Sequence, residues 1–352
     1  MIRVKVVGAG GYGGGGLLEL LARHPKVTVK GVINPSEVGK PLGILVPHLQ
    51  EFYDLIIQSP DDPDNTKDAD VVFFATPDGV GMSEAEKYLN AGLKVIDYSG
   101  DFRFTDSADH CGYAAALGKD LKHKSPHLLE NTVYGLPEIN REKIARAQLV
   151  GNPGCFAVSC LLALAPVVKY ELEEYKEPII CDCKTGVSGA GKKPNPSFHF
   201  PARYDTMNAY RLSGHQHVYE IERELSRLGN HPVKICFTPQ VVPMCRGILS
   251  TVYVKIKPNI KEEAVLDAFN SFYEFEKFVR VCTPDQPVTT AWVRENNFCY
   301  LTLKFDEQTR LLLIVSHIDN LMKGQSSNAV QNMNVMFGLD ETLGLHLPGM
   351  FP

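Results

Sequence analysis

Residues 2–14 read Ile2-Arg3-Val4-Lys5-Val6-Val7-Gly8-Ala9-Gly10-Gly11-Tyr12-Gly13-Gly14, and the fold class follows from this segment. The β-branched run over residues 2–7 predicts a strand, and the glycines after it predict a tight turn into a helix around residues 17–23. Glycine lets backbone N–H groups approach a pyrophosphate, which then rests on the helix N-terminus. The loop therefore predicts a nucleotide site, with a plain glycine turn as the alternative. Its predicted ligands are Gly8, Gly10, Gly11, Tyr12, Gly13 and Gly14.

Strand and helix signals keep alternating through the first half of the chain. Further strands are predicted at residues 27–33, 71–75 and 94–97, with a helix near residues 81–91. Alternating elements of this length form βαβ units with right-handed crossovers, and such units build a parallel sheet. The first half is therefore predicted to be a Rossmann-type, doubly wound α/β domain.

Residues 99–140 differ from the segments around them. Their Gly, Asp, Pro, His and Lys residues predict long loops at the carboxyl edge of the sheet. A group of cations and imidazoles within them is predicted to be a solvated surface loop rather than a polyanion site. Its members are His110, Lys119, Lys122, His123, Lys124 and His127.

Beyond residue 150 one apolar helix is followed by longer strands. Strands are predicted at 233–238, 248–256, 298–305 and 311–318, and helices near 218–228 and 261–275. This pattern indicates a second, α+β domain on a mostly antiparallel or mixed sheet. We predict a dinucleotide-binding domain at 1–150 and a catalytic and dimerisation domain at 151–324.

Composition limits what the chain does and where it acts. A length of 352 residues suits two domains, because single cores stop growing near ~250–300 residues. The formal net charge of −5 argues against nucleic-acid binding. No apolar run approaches the ~20 residues of a transmembrane helix, and no signal peptide is visible, so we expect a cytoplasmic protein without a membrane partner. The nine cysteines include no Cys-x-x-Cys pair, so no metal site is expected.

A second chemical motif, Gly151-Asn152-Pro153-Gly154-Cys155, precedes the apolar helix. The Pro-Gly pair forces a sharp turn, which puts Cys155 at the helix N-terminus, where the helix dipole stabilises a thiolate. A buried structural cysteine is the alternative, and Cys160, further along the helix, fits that description. We therefore expect Cys155 to be a nucleophile and Cys160 to lie in the core.

A nucleophilic cysteine needs a base or a proton shuttle. His215 and His217 stand where another helix is predicted to begin. Metal ligation by these two would need a third ligand at a recognisable spacing, and the sequence offers none. We favour His217 as the base and His215 as its neighbour.

The end of the second strand bears on the cofactor. An NAD site usually places Asp or Glu there to bind the ribose 2′-hydroxyl. Here Asn34 and Ser36 are neutral and Lys40 is cationic, which favours NADP(H), although Glu37 opposes it.

On the substrate side, Arg103 follows the strand at 94–97 and is a candidate phosphate ligand. A surface salt bridge to Asp101 or Asp106 is the alternative for Arg103.

In order along the chain, these motifs resemble those of the N-acetyl-gamma-glutamyl-phosphate reductase family, within the wider aspartate-semialdehyde dehydrogenase-like group. The matching segments are residues 8–14, 97–104, 134–138, 151–157, 185–192, 215–221, 239–253, 319–324 and 329–334.

The resemblance implies an oxidoreductase of arginine biosynthesis. With NADPH it would convert the acyl phosphate into N-acetylglutamate semialdehyde and phosphate, through a thioester on Cys155 and with His217 as acid/base. It implies that Ser188 and Gly189 lie near the nicotinamide, with Asn320 on its carboxamide. It also implies a homodimer or homotetramer, and a last segment, 325–352, that returns to the first domain. The predicted substrate ligands are Ser99, Arg103, Asn152, His215 and Arg246.

Two alternatives stay open. One is a reductase for aspartyl phosphate or for a carrier-linked aminoadipyl phosphate, since a close relative of that kind shares most of the motifs. The other is a non-catalytic nucleotide-binding sensor.

Overall fold

The computed structural model describes residues 1–119 and 122–350. Asp120 and Leu121 of the predicted loop segment, and the last two residues of the predicted C-terminal return, lie outside this description. The chain divides into two compact units, Met1–Gly154 with Gln325–His346 and Cys155–Gly324 with Leu347–Pro352. Within the described ranges, no helix has the length and apolar content needed to cross a bilayer.

The first unit is built on a parallel sheet in the strand order β3-β2-β1-β4-β5-β7-β6. The strands are β1 (Ile2–Val7), β2 (Val27–Ile33), β3 (Ile57–Gln58), β4 (Val71–Phe74), β5 (Lys94–Asp97), β6 (Thr132–Tyr134) and β7 (Leu149–Gly151). The helices are α1 (Tyr12–Arg23), α2 (Gly81–Asn90), α3 (Ser107–Ala116) and α4 (Pro137–Arg146). Strand order reverses between β1 and β4, as in a doubly wound sheet. The predicted Rossmann-type domain is confirmed.

The centre of this sheet positions the glycine loop. All four residues of β4 are buried, as expected for a central strand covered by helices on both faces. Phe74 packs edge-to-face on Tyr88 of α2, with ring centroids 5.5 Å apart. Because β1 lies beside β4, the loop that follows Val7 emerges at the carboxyl edge where strand order reverses, which is the usual ligand position in such sheets.

The prediction of long loops over residues 99–140 was wrong in part, because α3 and β6 form there. The Asp106 side chain caps α3 by accepting the N–H of Asp109. Two imidazoles predicted to be solvated, His110 and His123, are buried, with ring centroids 4.9 Å apart. The helix turns His110 inward, whereas His127 is exposed as expected.

The second unit combines a mixed sheet with helices, as predicted. The helices are α5 (Cys155–Lys169), α6 (Phe200–Arg203), α7 (Gln216–Gly229) and α8 (Glu262–Tyr273). The strands are β8 (Ile179–Thr185), β9 (Asn208–Ala209), β10 (Ile235–Val241), β11 (Ile248–Lys255), β12 (Val279–Cys282), β13 (Cys299–Asp306) and β14 (Leu311–Ile318). Their order is β12-β13-β14-β11-β8-β10-β9, with β8–β10 and β12–β13 parallel and the other pairs antiparallel.

Helix α5 is the central element of the second unit. Every residue from 156 to 168 is buried, because the helix is apolar around its whole circumference and packs between the sheet and α7. The Ser159 hydroxyl lies 2.8 Å from that of Ser250 and 3.0 Å from that of Ser316, which ties α5 to β11 and β14. The last helix, α9 (Ser327–Met336), belongs to the first unit and packs on α4 and α1.

Candidate functional site

Cys155 is the first residue of α5. Its side chain is half-buried while the residues after it are buried, so the thiol lies at the accessible end of the helix. Gly324 approaches it closely, since a methyl group on Gly324 would lie 2.8 Å from the Cβ of Cys155. Cys160 is fully buried, as predicted.

The thiol opens into a cavity of about 560 Å³ within the second unit. The residues that line it include Cys155, Gly189, His215 and His217, so folding brings both predicted histidines to the predicted nucleophile from the start of another helix. This volume is in the usual range for small-molecule sites. The arrangement can therefore hold a small substrate against a cysteine and an imidazole.

The two histidines have different surroundings. His215 is the N-cap of α7, and its Nδ1 accepts the backbone N–H of His217 at 3.2 Å. Burial, the nearby His217 and then Arg211 lower the pKa of His215 to about 2, so its ring stays neutral. The His217 ring lies 4.8 Å from that of His215 and 6.1 Å from that of Phe156, between centroids. These facts support the preference for His217 as the proton carrier.

Asn320 and Ser188 are joined by a hydrogen bond. Ser188 lies in the helical turn Val187–Ala190 after β8, and its Oγ accepts Nδ2–H of Asn320 at 2.9 Å. The Oδ1 of Asn320 accepts the backbone N–H of Gly247 at 2.8 Å. The amide predicted to bind the cofactor carboxamide is thus held by the protein, and its role stays a prediction.

Arg246 is bound to carboxylates. Its Nε lies 3.0 Å from the buried carboxylate of Asp319 and its Nη1 lies 3.6 Å from Glu295. Arg246 is not among the described residues that line the cavity, whereas His215, another predicted substrate ligand, is.

Among the described residues, no three His, Cys, Asp or Glu side chains come together as a metal site.

The remaining predicted substrate ligands, Ser99, Arg103 and Asn152, lie in the first unit. Arg103 is buried and donates from Nε to the carbonyl of Asn152 at 2.9 Å and from Nη2 to that of Tyr98 at 2.7 Å. The guanidinium of Arg103 is therefore buried rather than at the surface. The Ser99 hydroxyl donates to Asp97 at 2.5 Å.

Asn152 is fully buried within the first unit. Its Oδ1 accepts from the amides of Asn328 and Asn332 on α9, at 2.9 and 3.1 Å, and its own Nδ2 donates to the carbonyl of Gln325. The substrate roles of Ser99, Arg103 and Asn152 stay predictions.

The glycine loop fits a dinucleotide. Gly8 has a φ of +91°, and a methyl group on Gly14 would lie 2.4 Å from the carbonyl oxygen of Gly8. By contrast, a methyl group on Gly11 would meet nothing within 4 Å, which leaves open space at the first N–H groups of α1. The first turn of α1 carries no acidic residue. An anionic pyrophosphate is therefore compatible with this helix N-terminus.

The residues after β2 form the predicted ribose end of that site. Asn34 donates from Nδ2 to the Ser36 hydroxyl at 2.7 Å, and Lys40 forms an ion pair of 2.5 Å with Glu37. A neutral pair and a cation are compatible with a 2′-phosphate, but Glu37 neutralises part of the charge on Lys40.

The residues that line the cavity and that the sequence did not indicate include Arg203, Tyr210 and Arg211. Their segment shows neither helical nor strand periodicity. The available signal was the position of two arginines shortly before His215 and His217.

Comparisons with known proteins define first a class. Residues 3–147 match the family model described as semialdehyde dehydrogenase, NAD binding domain, and residues 155–320 match semialdehyde dehydrogenase, dimerisation domain. The fold is similar to that of aspartate semialdehyde dehydrogenase II from Vibrio cholerae, with a TM-score of 0.72 at 19% identity over 96% of this chain and 98% of that one. The chain is thus an NAD(P)-binding oxidoreductase of the semialdehyde dehydrogenase type, and the dimerisation domain supports an oligomer that acts on a small molecule.

Closer relatives give the family. The chain is 41% identical to N-acetyl-gamma-glutamyl-phosphate reductase of Halothermothrix orenii and 43% identical to that of Methanocaldococcus jannaschii, with 100% of each chain covered in both comparisons. It belongs to the N-acetyl-gamma-glutamyl-phosphate reductase family.

Proposed function

We propose that the chain reduces N-acetyl-gamma-glutamyl phosphate to N-acetylglutamate semialdehyde and inorganic phosphate with NADPH, a step of arginine biosynthesis in the cytoplasm. The names of the full-length relatives support this substrate. The observation that carries the chemistry is the position of Cys155, at the start of α5 and in one cavity with His217. Asn34, Ser36 and Lys40 support NADP(H) over NAD.

In the first step the thiolate of Cys155 attacks the acyl carbon. The S–C bond forms as the C–O bond to phosphate breaks, and the phosphate leaves with the electron pair of that bond. His217 takes the thiol proton and passes a proton to the departing phosphate. Covalent capture divides one difficult reduction into two easier steps.

In the second step the thioester is reduced. NADPH, when bound, supplies the hydride that the acyl carbon accepts. The resulting oxyanion collapses, the C–S bond breaks, and the aldehyde and the Cys155 thiolate are released. His217 then returns a solvent proton to the thiolate, so that one proton and one hydride are consumed for each phosphate released.

The test measures the reverse reaction, with N-acetylglutamate semialdehyde, phosphate and NADP as substrates. Cys155→Ser is expected to lose nearly all turnover while it still binds NADPH, because the weakly acidic hydroxyl is a poor nucleophile. Cys236→Ser, at an exposed thiol of β10, is the matched control and should keep activity. Retained turnover in Cys155→Ser rejects the covalent route. A preference for aspartate semialdehyde or for a carrier-linked semialdehyde rejects the substrate, and NADPH binding without turnover of any aldehyde indicates a sensor.

A further inference from the structure

Two arginines line the cavity beside Cys155, and both are held by neutral groups. Arg203, at the end of α6, donates from Nη1 to Asn208 at 2.8 Å and from Nε and Nη2 to the carbonyl of Ser197, at 3.3 and 3.0 Å. Arg211 donates from Nη1 to Oε1 of Gln216 at 2.8 Å. Within residues 1–119 and 122–350, neither guanidinium forms an ion pair with a carboxylate.

Three other arginines of the same unit are neutralised by carboxylates. Arg223 and Arg227 pair with the buried carboxylate of Glu224, and Arg246 pairs with Asp319. A guanidinium has five N–H donors and stays charged at any physiological pH. Arg203 uses three of these donors in the bonds above and Arg211 uses one, so both retain donors for a ligand. The lining of the cavity is therefore cationic and fitted to an anion.

We propose that Arg203 and Arg211 form a carboxylate subsite that binds the α-carboxylate of the substrate. This inference rests on the proposed function. Of the charges on N-acetyl-gamma-glutamyl phosphate, only the α-carboxylate stays on the acyl chain once phosphate has left. A subsite for it holds the chain in place during both steps at Cys155. The planar fork of a guanidinium matches a carboxylate with two parallel hydrogen bonds.

The test pairs two aldehydes that differ only in this carboxylate. N-acetylglutamate semialdehyde carries it, and 4-acetamidobutanal has hydrogen in its place. With phosphate and NADP, the wild-type chain should prefer the first aldehyde in kcat/KM. Arg203→Gln and Arg211→Gln should each reduce kcat/KM roughly ten- to a hundredfold on the first aldehyde and leave the second nearly unchanged. Arg211→Lys should recover part of the preference, because it keeps the charge.

A control arginine and three contrary outcomes make the carboxylate subsite refutable. Arg280→Gln, at an exposed arginine on β12, should keep the wild-type preference. Equal losses on both aldehydes would assign Arg203 and Arg211 a structural role and overturn the subsite. A raised KM for phosphate with an unchanged aldehyde preference would assign them to the leaving group and also overturn it. If the wild-type chain turns over neither aldehyde, the proposed function fails, and the subsite fails with it.

Discussion

Two glycines of the nucleotide loop are expected to respond in opposite ways to a single added methyl group. Gly14→Ala should destabilise the chain, whereas Gly11→Ala should leave its stability nearly unchanged and weaken NADPH binding. The two positions lie three residues apart, at the start of the same helix. The difference separates a glycine needed for packing from one that keeps space open for a ligand.

The magnitude follows from the distances. At Gly14 the methyl group would lie 2.4 Å from the Gly8 carbonyl oxygen, and ordinary contact begins at 3.4 Å, so the backbone must move by 3.4 − 2.4 = 1.0 Å. Overpacking against backbone costs about 3 kcal/mol, and the better helix propensity of alanine returns about 1 kcal/mol. We expect a net loss of about 2 kcal/mol. Gly11 has φ −87° and ψ 170°, which alanine adopts freely, and no atom lies within 4 Å of its methyl position.

Urea unfolding and NADPH fluorescence titration measure the two effects. Gly11→Ala should lower NADPH affinity by about tenfold, because the methyl group keeps the pyrophosphate from the N–H groups of α1. Gly16→Ala is the control within the helix, since its methyl group would lie 3.5 Å from Ser326 and clash with nothing. Unchanged stability in Gly14→Ala, or unchanged NADPH affinity in Gly11→Ala, would refute this account of the loop.

Three further predictions concern acid stability, cofactor preference and the nucleophile. Burial lowers the pKa of His317 to about 4 and that of His215 to about 2, below the ordinary 6.5, so the unfolded chain binds protons that the folded chain does not. The contribution of these histidines to stability is therefore full above about pH 6.5, and at pH 5 it has fallen by up to about 2 kcal/mol per histidine. Between pH 7 and pH 5, the free energy of unfolding in urea should fall less for His317→Gln than for wild type. Equal falls in the two chains would contradict this. Glu37→Gln removes the carboxylate that pairs with Lys40, so it should raise the ratio of NADPH to NADH affinity by up to about fivefold in titrations. An unchanged affinity ratio would show that Lys40 does not contact the 2′-phosphate. Gly324→Ala should lower kcat about tenfold or more without changing NADPH affinity, because its methyl group would displace Cys155; a normal kcat would show that the contact is not needed.

The sequence predicts best those elements whose residues are apolar enough that only a buried position is favourable. Strand β4 is four consecutive buried residues, and α5 is apolar on every side, so each has to lie in a core. The prediction for the segment that contains α3 failed because this helix, Ser107–Ala116, is short and carries polar residues among its alanines. Asp106 caps the helix at the N–H of Asp109, and tertiary packing makes His110 a core residue.

The candidate site was predictable where local geometry defines it and not where tertiary structure does. A Pro-Gly turn before an apolar helix sets the position of Cys155 without reference to the rest of the chain. Arg203 and Arg211 come from residues 195–211, which have no periodicity, and they reach the cavity through contacts with Ser197, Asn208 and Gln216. Nothing in the residues alone indicates that their partners are neutral.

The capping bond of α7 is consistent with the different roles proposed for His215 and His217. Nδ1 of His215 has to remain an acceptor for the N–H of His217, so protonation at that atom would break the cap, at a cost of about 1 kcal/mol, in addition to the cost of a buried charge. His215 therefore stays neutral while it fixes the backbone of the next helical turn. The bond from the His217 N–H to Nδ1 of His215 therefore keeps the His215 ring neutral. The same bond fixes the backbone that carries the His217 imidazole in the cavity of Cys155.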